Sequence, residues 1–250
     1  MALDEVKALT FDVFGTVVDW RGSIIAEGER LRAETGLALD RLDLPDFWGR
    51  FADAWRRRYH PSMERVMRGE LPWTNLDALH RASLDEVLGE FGMIGLTDSQ
   101  KDNLNLVWHR LLPWPDSVVG LTRLRQRFIL ATLSNGNVRL LVDMAKRADL
   151  PWDVILSAEL ALAYKPDPRV YRMAAELLEL EPSEILMVAA HPSDLQAAAI
   201  QGMRTAFVPR LLEYGQDAAR DVTSDLASDS QFDLVATDFL DLARQLDSAS

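Results

Sequence analysis

The sequence predicts an α/β protein in which a parallel sheet is interrupted after its first strand by a helical insertion. Three observations carry this. Short, nearly apolar runs recur along the chain, as expected of strands covered on both faces. Between 127 and 237 such runs alternate with helical patterns, the signature of parallel strands joined by crossover helices. The segment from about 20 to 112 has helical stretches and no convincing strand.

Taken in order, the first run is "VKALTFDVF" (6–14). Helix-like stretches follow near 22–35, 46–68, 76–92 and 98–111, separated by "LALDRLDLP", "GELPW" and "GMIGL". "LLPWPDSV", with its two prolines, marks the return to the sheet. The remaining strand-like runs are "RFILATLS" (127–134), "DVILS" (153–157), "EILMVAA" (184–190), "RTAFV" (204–208) and "DLVAT" (233–237). In "VRLLVDMAKRAD", Leu140, Leu141, Met144, Ala145 and Ala148 keep helical spacing. The domain expectation is a core of 1–18 and 113–250 around an inserted helical domain of 19–112.

The 250 residues, 48% hydrophobic, suffice for a full core with a second, smaller domain. A formal charge of −12 argues against nucleic acid or an anionic membrane as partner, and obliges any anionic substrate to find a local positive pocket. The absence of cysteine removes disulfides, thiolate nucleophiles and Cys-ligated zinc, and fits a reducing compartment. The opening residues lack the basic start and long apolar stretch of a signal peptide, and no run approaches the roughly 20 apolar residues of a membrane-spanning helix. The expectation is a cytoplasmic protein.

In an open parallel sheet the ligand site lies outside the carboxyl ends of the strands. The polar residues ending the apolar runs are therefore the candidates: Asp12 and Thr16; Ser134 and Asn135; Lys165 in "AYKPDPRVY"; His191 and Asp194 in "AAHPSD". Each has a plainer reading. Asp12 could cap a turn, Asp194 the helix "LQAAAIQG", and "SNGN" is a good turn sequence. A carboxylate closing a buried strand nevertheless carries a desolvation cost that a turn alone does not require.

"FDVFGT", "LSNG", "KPDPRVY" and an Asp shortly after an apolar strand, in this order around a helical insertion, resemble the haloacid dehalogenase superfamily. Within it the pattern is most similar to the L-2-haloacid dehalogenase (type II) branch. The resemblance spans essentially the whole chain and implies a Rossmann-like core with a helical cap domain. It implies no metal and no other cofactor, a small anionic haloacid as substrate, and a homodimer.

As the resemblance implies, Asp12 attacks C2 of the haloacid, giving an ester and free halide, and water then cleaves the ester to a 2-hydroxy acid with inversion. Lys165 keeps Asp12 ionised, and Asp194 positions Lys165 and the hydrolytic water. Ser134 and backbone N–H groups after Asp12 receive the substrate carboxylate, and Thr16 orients the nucleophile. Asn135 and an arginine cradle the halide. That arginine matches Arg56 in "DAWRRRYHP", within the run Arg56, Arg57 and Arg58; on one helix Arg56 would share a face with Tyr59 and His60. Tyr171 matches a site tyrosine of the family. His60, His80 and His109 lack metal-ligand spacing, and the tryptophans of the insertion read as core.

Phosphatases of the superfamily resemble one another in carrying a second Asp two residues after the nucleophile, where this chain has Phe14. They also hold Mg²⁺ with further acidic residues where "AAHPSD" offers Asp194. Halide leaves without protonation, so Phe14 suits dehalogenation. A Mg²⁺-dependent phosphatase is the rival enzyme reading, and a non-catalytic protein on the same scaffold the rival of another class. The chain departs from the branch at Ala189, Ala190 and His191, where Ser-Ser-Asn is common, and at Ser193 in place of an aromatic. A compact pocket with a histidine donor suits fluoride, which extends the expected substrates to fluoroacetate.

Overall fold

The computed structural model describes residues 3–35, 45–215 and 232–248. The chain enters through β1 (Ala8–Phe11), all four residues buried, and a tight loop to β2 (Val18–Asp19). Helices α1 (Trp20–Thr35), α2 (Phe47–Arg57), α3 (Tyr59–Met67), α4 (Leu76–Glu90) and α5 (Asp98–Asn105) follow, and the chain returns through β3 (Leu112–Pro113). Then come α6 (Ser117–Leu124), β4 (Ile129–Ser134), α7 (Val138–Ala148), β5 (Val154–Ser157) and α8 (Pro168–Leu178). The chain closes with β6 (Ile185–Ala189), α9 (Pro192–Ile200), β7 (Arg204–Phe207), β8 (Leu234–Val235) and α10 (Phe239–Ser248).

The main sheet runs β5-β4-β1-β6-β7-β8 with every pair parallel. β1 is interior, and Phe11 lies opposite Thr132 on one side and Val188 on the other. The next residue, Asp12, therefore emerges at the carboxyl edge between the ends of β4 and β6. Order reverses on either side of β1, which is where an open sheet leaves a crevice for ligands. Phe11 anchors the strand from below, with its ring 5.3 Å from Trp152 and 5.4 Å from Phe239.

Between β2 and β3 the described residues form only helices. Their interior is aromatic: Trp48, Phe51, Trp55, Phe91 and Trp108 meet edge to face at 5.3–5.9 Å. Local signals set the ends. Asn75 accepts the Ala78 N–H at the start of α4, and Thr97 with Gln100 forms a capping box on α5. β2 and β3 pair antiparallel, Asp19 opposite Leu112 and Val18 opposite Pro113, so the two ends of the helical segment lie side by side.

The structure refines several sequence expectations. The helix expected over 46–68 is two helices with a break at Arg58, because Pro61 has no N–H to return to the Arg57 carbonyl; Ser62 N–H restarts the ladder on Arg58. The helix expected over 98–111 tightens to a 3₁₀ turn at Leu106–His109. The run at 233–237 pairs only over Leu234–Val235. Among the described residues no helix is long and apolar enough to cross a membrane.

Candidate active site

The loop leaving β1 is built around Gly15, whose φ of +86° is open to glycine and strained for other residues. Gly15 N–H donates to the Val18 carbonyl, and Val17 and Val18 N–H both return to Val13. This folds Thr16 back over Asp12. Thr16 Oγ1 donates to Asp12 Oδ2 at 2.8 Å and itself accepts the Ala190 N–H at 2.9 Å, locking the nucleophile candidate to the end of β6.

Asp12 is 7% exposed and surrounded by donors. Lys165 Nζ donates to Oδ1 at 3.1 Å, and His191 Nδ1 lies 3.0 Å from Oδ2. Burial alone would raise its pKa. The Lys165 ammonium, the His191 hydrogen bond and charge, and the Thr16 hydroxyl outweigh that and hold the carboxyl far below the usual range. The result is a carboxylate that stays ionised in a buried place.

Lys165 also pairs with Asp194 Oδ2 at 2.5 Å. Burial opposes its charge, but the two carboxylates prevail and push its pKa up. Its backbone N–H donates to Asn135 Oδ1 at 2.7 Å, so the end of β4 sets the height of the lysine. Asp194 sits in the first turn of α9, yet its side chain makes no cap: Oδ1 accepts the Tyr171 phenol at 2.6 Å and Oδ2 the lysine. Burial first, then the charge of Asp194, raises the Tyr171 phenol, which keeps its proton and donates it.

The cavity over Asp12 has a volume of about 630 Å³. Phe14, Asn135, Lys165, Tyr171, His191 and Asp194 all lie on its wall, together with Arg56, Arg57 and His60 from the helical segment. Despite the break at Arg58, Arg56 still reaches Tyr59, with its guanidinium 4.0 Å above the Tyr59 ring and 5.5 Å from that of Trp20. Its Nη1 is buried without a hydrogen-bond partner. Arg58 turns away, to Glu86, Glu90 and the Ala54 carbonyl.

Phe14 is 2% exposed and packs edge-on against Tyr59 and Trp108. Nothing at this position can donate a proton to a leaving group. Ser134 is placed differently from the other candidates. It ends β4 fully buried, its Oγ accepts the Gly136 N–H at 3.1 Å, and it is not on the cavity wall.

Sequence reasoning missed Glu213. It is 3% exposed, accepts from Trp20 Nε1 at 3.0 Å, and faces His191 Nε2 at 3.0 Å through its second oxygen. Burial would raise its pKa, but His191 and Arg56 among its neighbours lower it overall. In turn, burial works against a charged His191, while Glu213 and Asp12 push its pKa up to about 10. A signal for Glu213 does exist: it follows β7, the strand beside β6, whose carboxyl end contributes no other candidate. Tyr59 reaches the wall beside Arg56 and His60, as their shared helical face implied; Trp20 and Tyr214 also reach it, and as aromatic residues they carry no sequence mark that separates wall from core.

The chain is similar to the solved L-2-haloacid dehalogenase PA0810, with 46% identity, a TM-score of 0.87, and coverage of 97% of this chain and 99% of that one. It is equally close in fold to the defluorinating L-2-haloacid dehalogenase Rha0230, at 44% identity, a TM-score of 0.87, and coverage of 97% and 95%. Among curated proteins, (S)-2-haloacid dehalogenase 1 of Pseudomonas sp. (strain CBS-3) is 29% identical over 213 residues, which is 84% of this chain and 87% of that protein. A family model for haloacid dehalogenase-like hydrolases matches residues 6–202. With a buried, ionised Asp at the end of the first strand and a lysine between it and a second Asp, the chain belongs to the haloacid dehalogenase-like hydrolases.

Proposed function

We propose that this protein is a hydrolytic (S)-2-haloacid dehalogenase that converts short 2-haloalkanoic acids to 2-hydroxy acids and halide through an ester on Asp12. The observation that carries the proposal is the state of Asp12: ionised, oriented by three donors, and open to a cavity whose wall holds an arginine with an unpartnered Nη1. A carboxylate lone pair displaces halide at C2, and the C–X bond breaks with its electron pair on the halide, so no acid is required. Phe14 fits this step and does not fit phosphate-ester cleavage. The ammonium of Lys165 bridges Asp12 and Asp194 and supplies positive charge to both carboxylates, and the proposed reaction uses no metal.

Arg56 with Asn135 receives the leaving halide, and Tyr171 fixes Asp194 so that its carboxylate takes a proton from the hydrolytic water. For the substrate carboxylate, Arg57 on the wall is a better-placed partner than Ser134. The segment 19–112 acts as a cap over the core of 1–18 and 113–250, hinged at the β2–β3 ribbon. Acidic balance and the lack of cysteine favour a cytoplasmic protein without nucleic-acid partners. A homodimer is part of the proposal, and light scattering that finds a monomer at working concentration removes it.

The test is halide release from (S)- and (R)-2-chloropropionate, chloroacetate and fluoroacetate, with chiral analysis of the lactate. The expected result is turnover of the (S) substrate to (R)-lactate. Fluoride release from fluoroacetate supports the wider substrate range, and chloride release without any fluoride restricts it. Phosphate-ester hydrolysis with Mg²⁺ and no halide from any haloacid would return the reading to the phosphatase.

A further inference from the structure

The two oxygens of Asp12 are not equivalent. Oδ2 accepts from Thr16 Oγ1 at 2.8 Å and from His191 Nδ1 at 3.0 Å, which occupies both of its lone-pair sites. Among the described residues Oδ1 accepts from Lys165 Nζ alone, at 3.1 Å, and keeps a lone pair for carbon. If Oδ1 forms the bond to C2, Oδ2 becomes the carbonyl oxygen of the ester. That oxygen takes the negative charge when water adds to Cγ.

His191 stands between two carboxylates, Asp12 at Nδ1 and Glu213 at Nε2, the latter at 3.1 and 3.0 Å to its two oxygens. A carboxylate only accepts, so both ring nitrogens must carry protons and the ring is an imidazolium. Glu213 is itself held in place. Trp20 Nε1 fixes Oε1, and the loop leaves room because a Cβ on Gly15 would overlap that same oxygen. Once Asp12 is esterified its charge is gone, and Glu213 alone remains to keep His191 charged while the ester is hydrolysed.

Building on the proposed dehalogenase reaction, we infer that His191 and Thr16 form the oxyanion hole for hydrolysis of the Asp12 ester, with Glu213 as the positioning residue that keeps His191 protonated and aimed at Oδ2. In the first step the Oδ1–C2 bond forms and the C–X bond breaks. In the second, water oxygen adds to Cγ, one water proton passes to Asp194, and Oδ2 takes the charge facing Nδ1–H and Oγ1–H. The intermediate collapses with cleavage of Cγ–Oδ1. Oδ1 leaves as the product hydroxyl, taking its proton from Asp194, and the second water proton is released as Asp12 returns to carboxylate.

This arrangement slows the second step selectively when it is damaged. The experiment is quenched-flow halide release from (S)-2-chloropropionate by wild type, Glu213→Gln, His191→Ala, Thr16→Val and Thr16→Ser, with mass analysis of the peptide bearing Asp12. Glu213→Gln, His191→Ala and Thr16→Val are expected to release about one halide per site in a first-turnover burst. Their steady-state rate then falls by about 100-fold for loss of a donor, and the Asp12 peptide carries the mass of the propionate ester. Thr16→Ser restores turnover because it restores the hydroxyl.

A parallel loss of burst and steady state in the three variants, or no loss in any, overturns the inference while leaving the dehalogenase reading in place. Failure of the wild type to release halide from any haloacid overturns both. The Thr16 variants answer the question even where His191→Ala or Glu213→Gln folds poorly, because Thr16→Val exchanges the hydroxyl for a methyl while Thr16→Ser keeps the hydroxyl and loses the methyl.

Discussion

At Lys165 one side chain answers two needs. Its ammonium keeps Asp12 ionised and neutralises Asp194, so replacing it with an apolar residue of similar length leaves two buried carboxylates facing each other. Lys165→Met is therefore expected to lower kcat/KM for halide release by about 100- to 1000-fold. His191 sets the alkaline side. With its pKa raised to about 10, the activity profile of the free enzyme is expected to hold level through neutral pH and to fall as pH rises through that value. The same limb should vanish in His191→Asn, whose amide does not titrate. Because this pKa is raised, the stability contributed by charged His191 is complete below about pH 6.5 and is lost as pH climbs through about 10. Phe14 gives a third expectation. Phe14→Asp puts a carboxylate among Tyr59 and Trp108 in place of a fully packed ring, and should cost about 3–5 kcal/mol, read as a lower Tm, without creating phosphatase activity. The residues at strand ends were legible in the sequence because an apolar run stopping at a polar residue is visible without a structure. Glu213 was harder to see, since a stretch of loop separates it from the nearest apolar run and its partners, Trp20 and His191, come from other elements.

At the scale of elements, β1, β4, β6 and the loop before α8 each deliver one or two groups to a single crevice, and the helical segment delivers the arginines from above. What holds that segment against the sheet includes an ion cluster outside the cavity. His109, in the turn before β3, meets Asp77 of α4 through Nε2 and Asp143 of α7 through Nδ1, all at 3.0 Å, and Asn137 donates to Asp77 at 2.9 Å. Burial opposes a charged His109, but Asp77 and Asp143 outweigh it and raise its pKa. A raised pKa means that the stabilising contribution is full below about pH 6.5 and is lost as pH rises through the folded-state value. His109→Gln should thus lower Tm most near about pH 6, by the equivalent of about 1–3 kcal/mol, with the gap narrowing as pH rises above the usual histidine range. A gap that stays constant with pH would show that the imidazolium is not the linking charge. Histidine spacing gave no hint of this cluster, because its members come from separate elements brought together only by packing. The break between α2 and α3 was readable in principle from Pro61. Helical periodicity on both sides of it masked the interruption.

Across the whole molecule, the net charge of −12 contrasts with a cavity wall that carries Arg56, Arg57, Lys165 and His191. These cations share the wall with Asp12, Asp53 and Asp194, and they give an anionic substrate the local positive partners that the net charge of the chain does not. The alternation of strands and helices, the insertion after the first strand and the crevice at β1 were all legible from the sequence, because each follows from periodicity and from where apolar runs stop. The depth of the cavity was not legible: it depends on how the aromatic helical segment sits over the sheet, and no local pattern encodes that. Everything in the proposed reaction depends on one atom group, the carboxylate of Asp12, acting on carbon without a metal. The most direct measurement is halide release from (S)-2-chloropropionate by wild type and by Asp12→Asn, with EDTA present throughout. Release that persists in EDTA and disappears in Asp12→Asn is the expected result. Release that EDTA abolishes, or that survives in Asp12→Asn, would contradict a metal-free carboxylate nucleophile at this position.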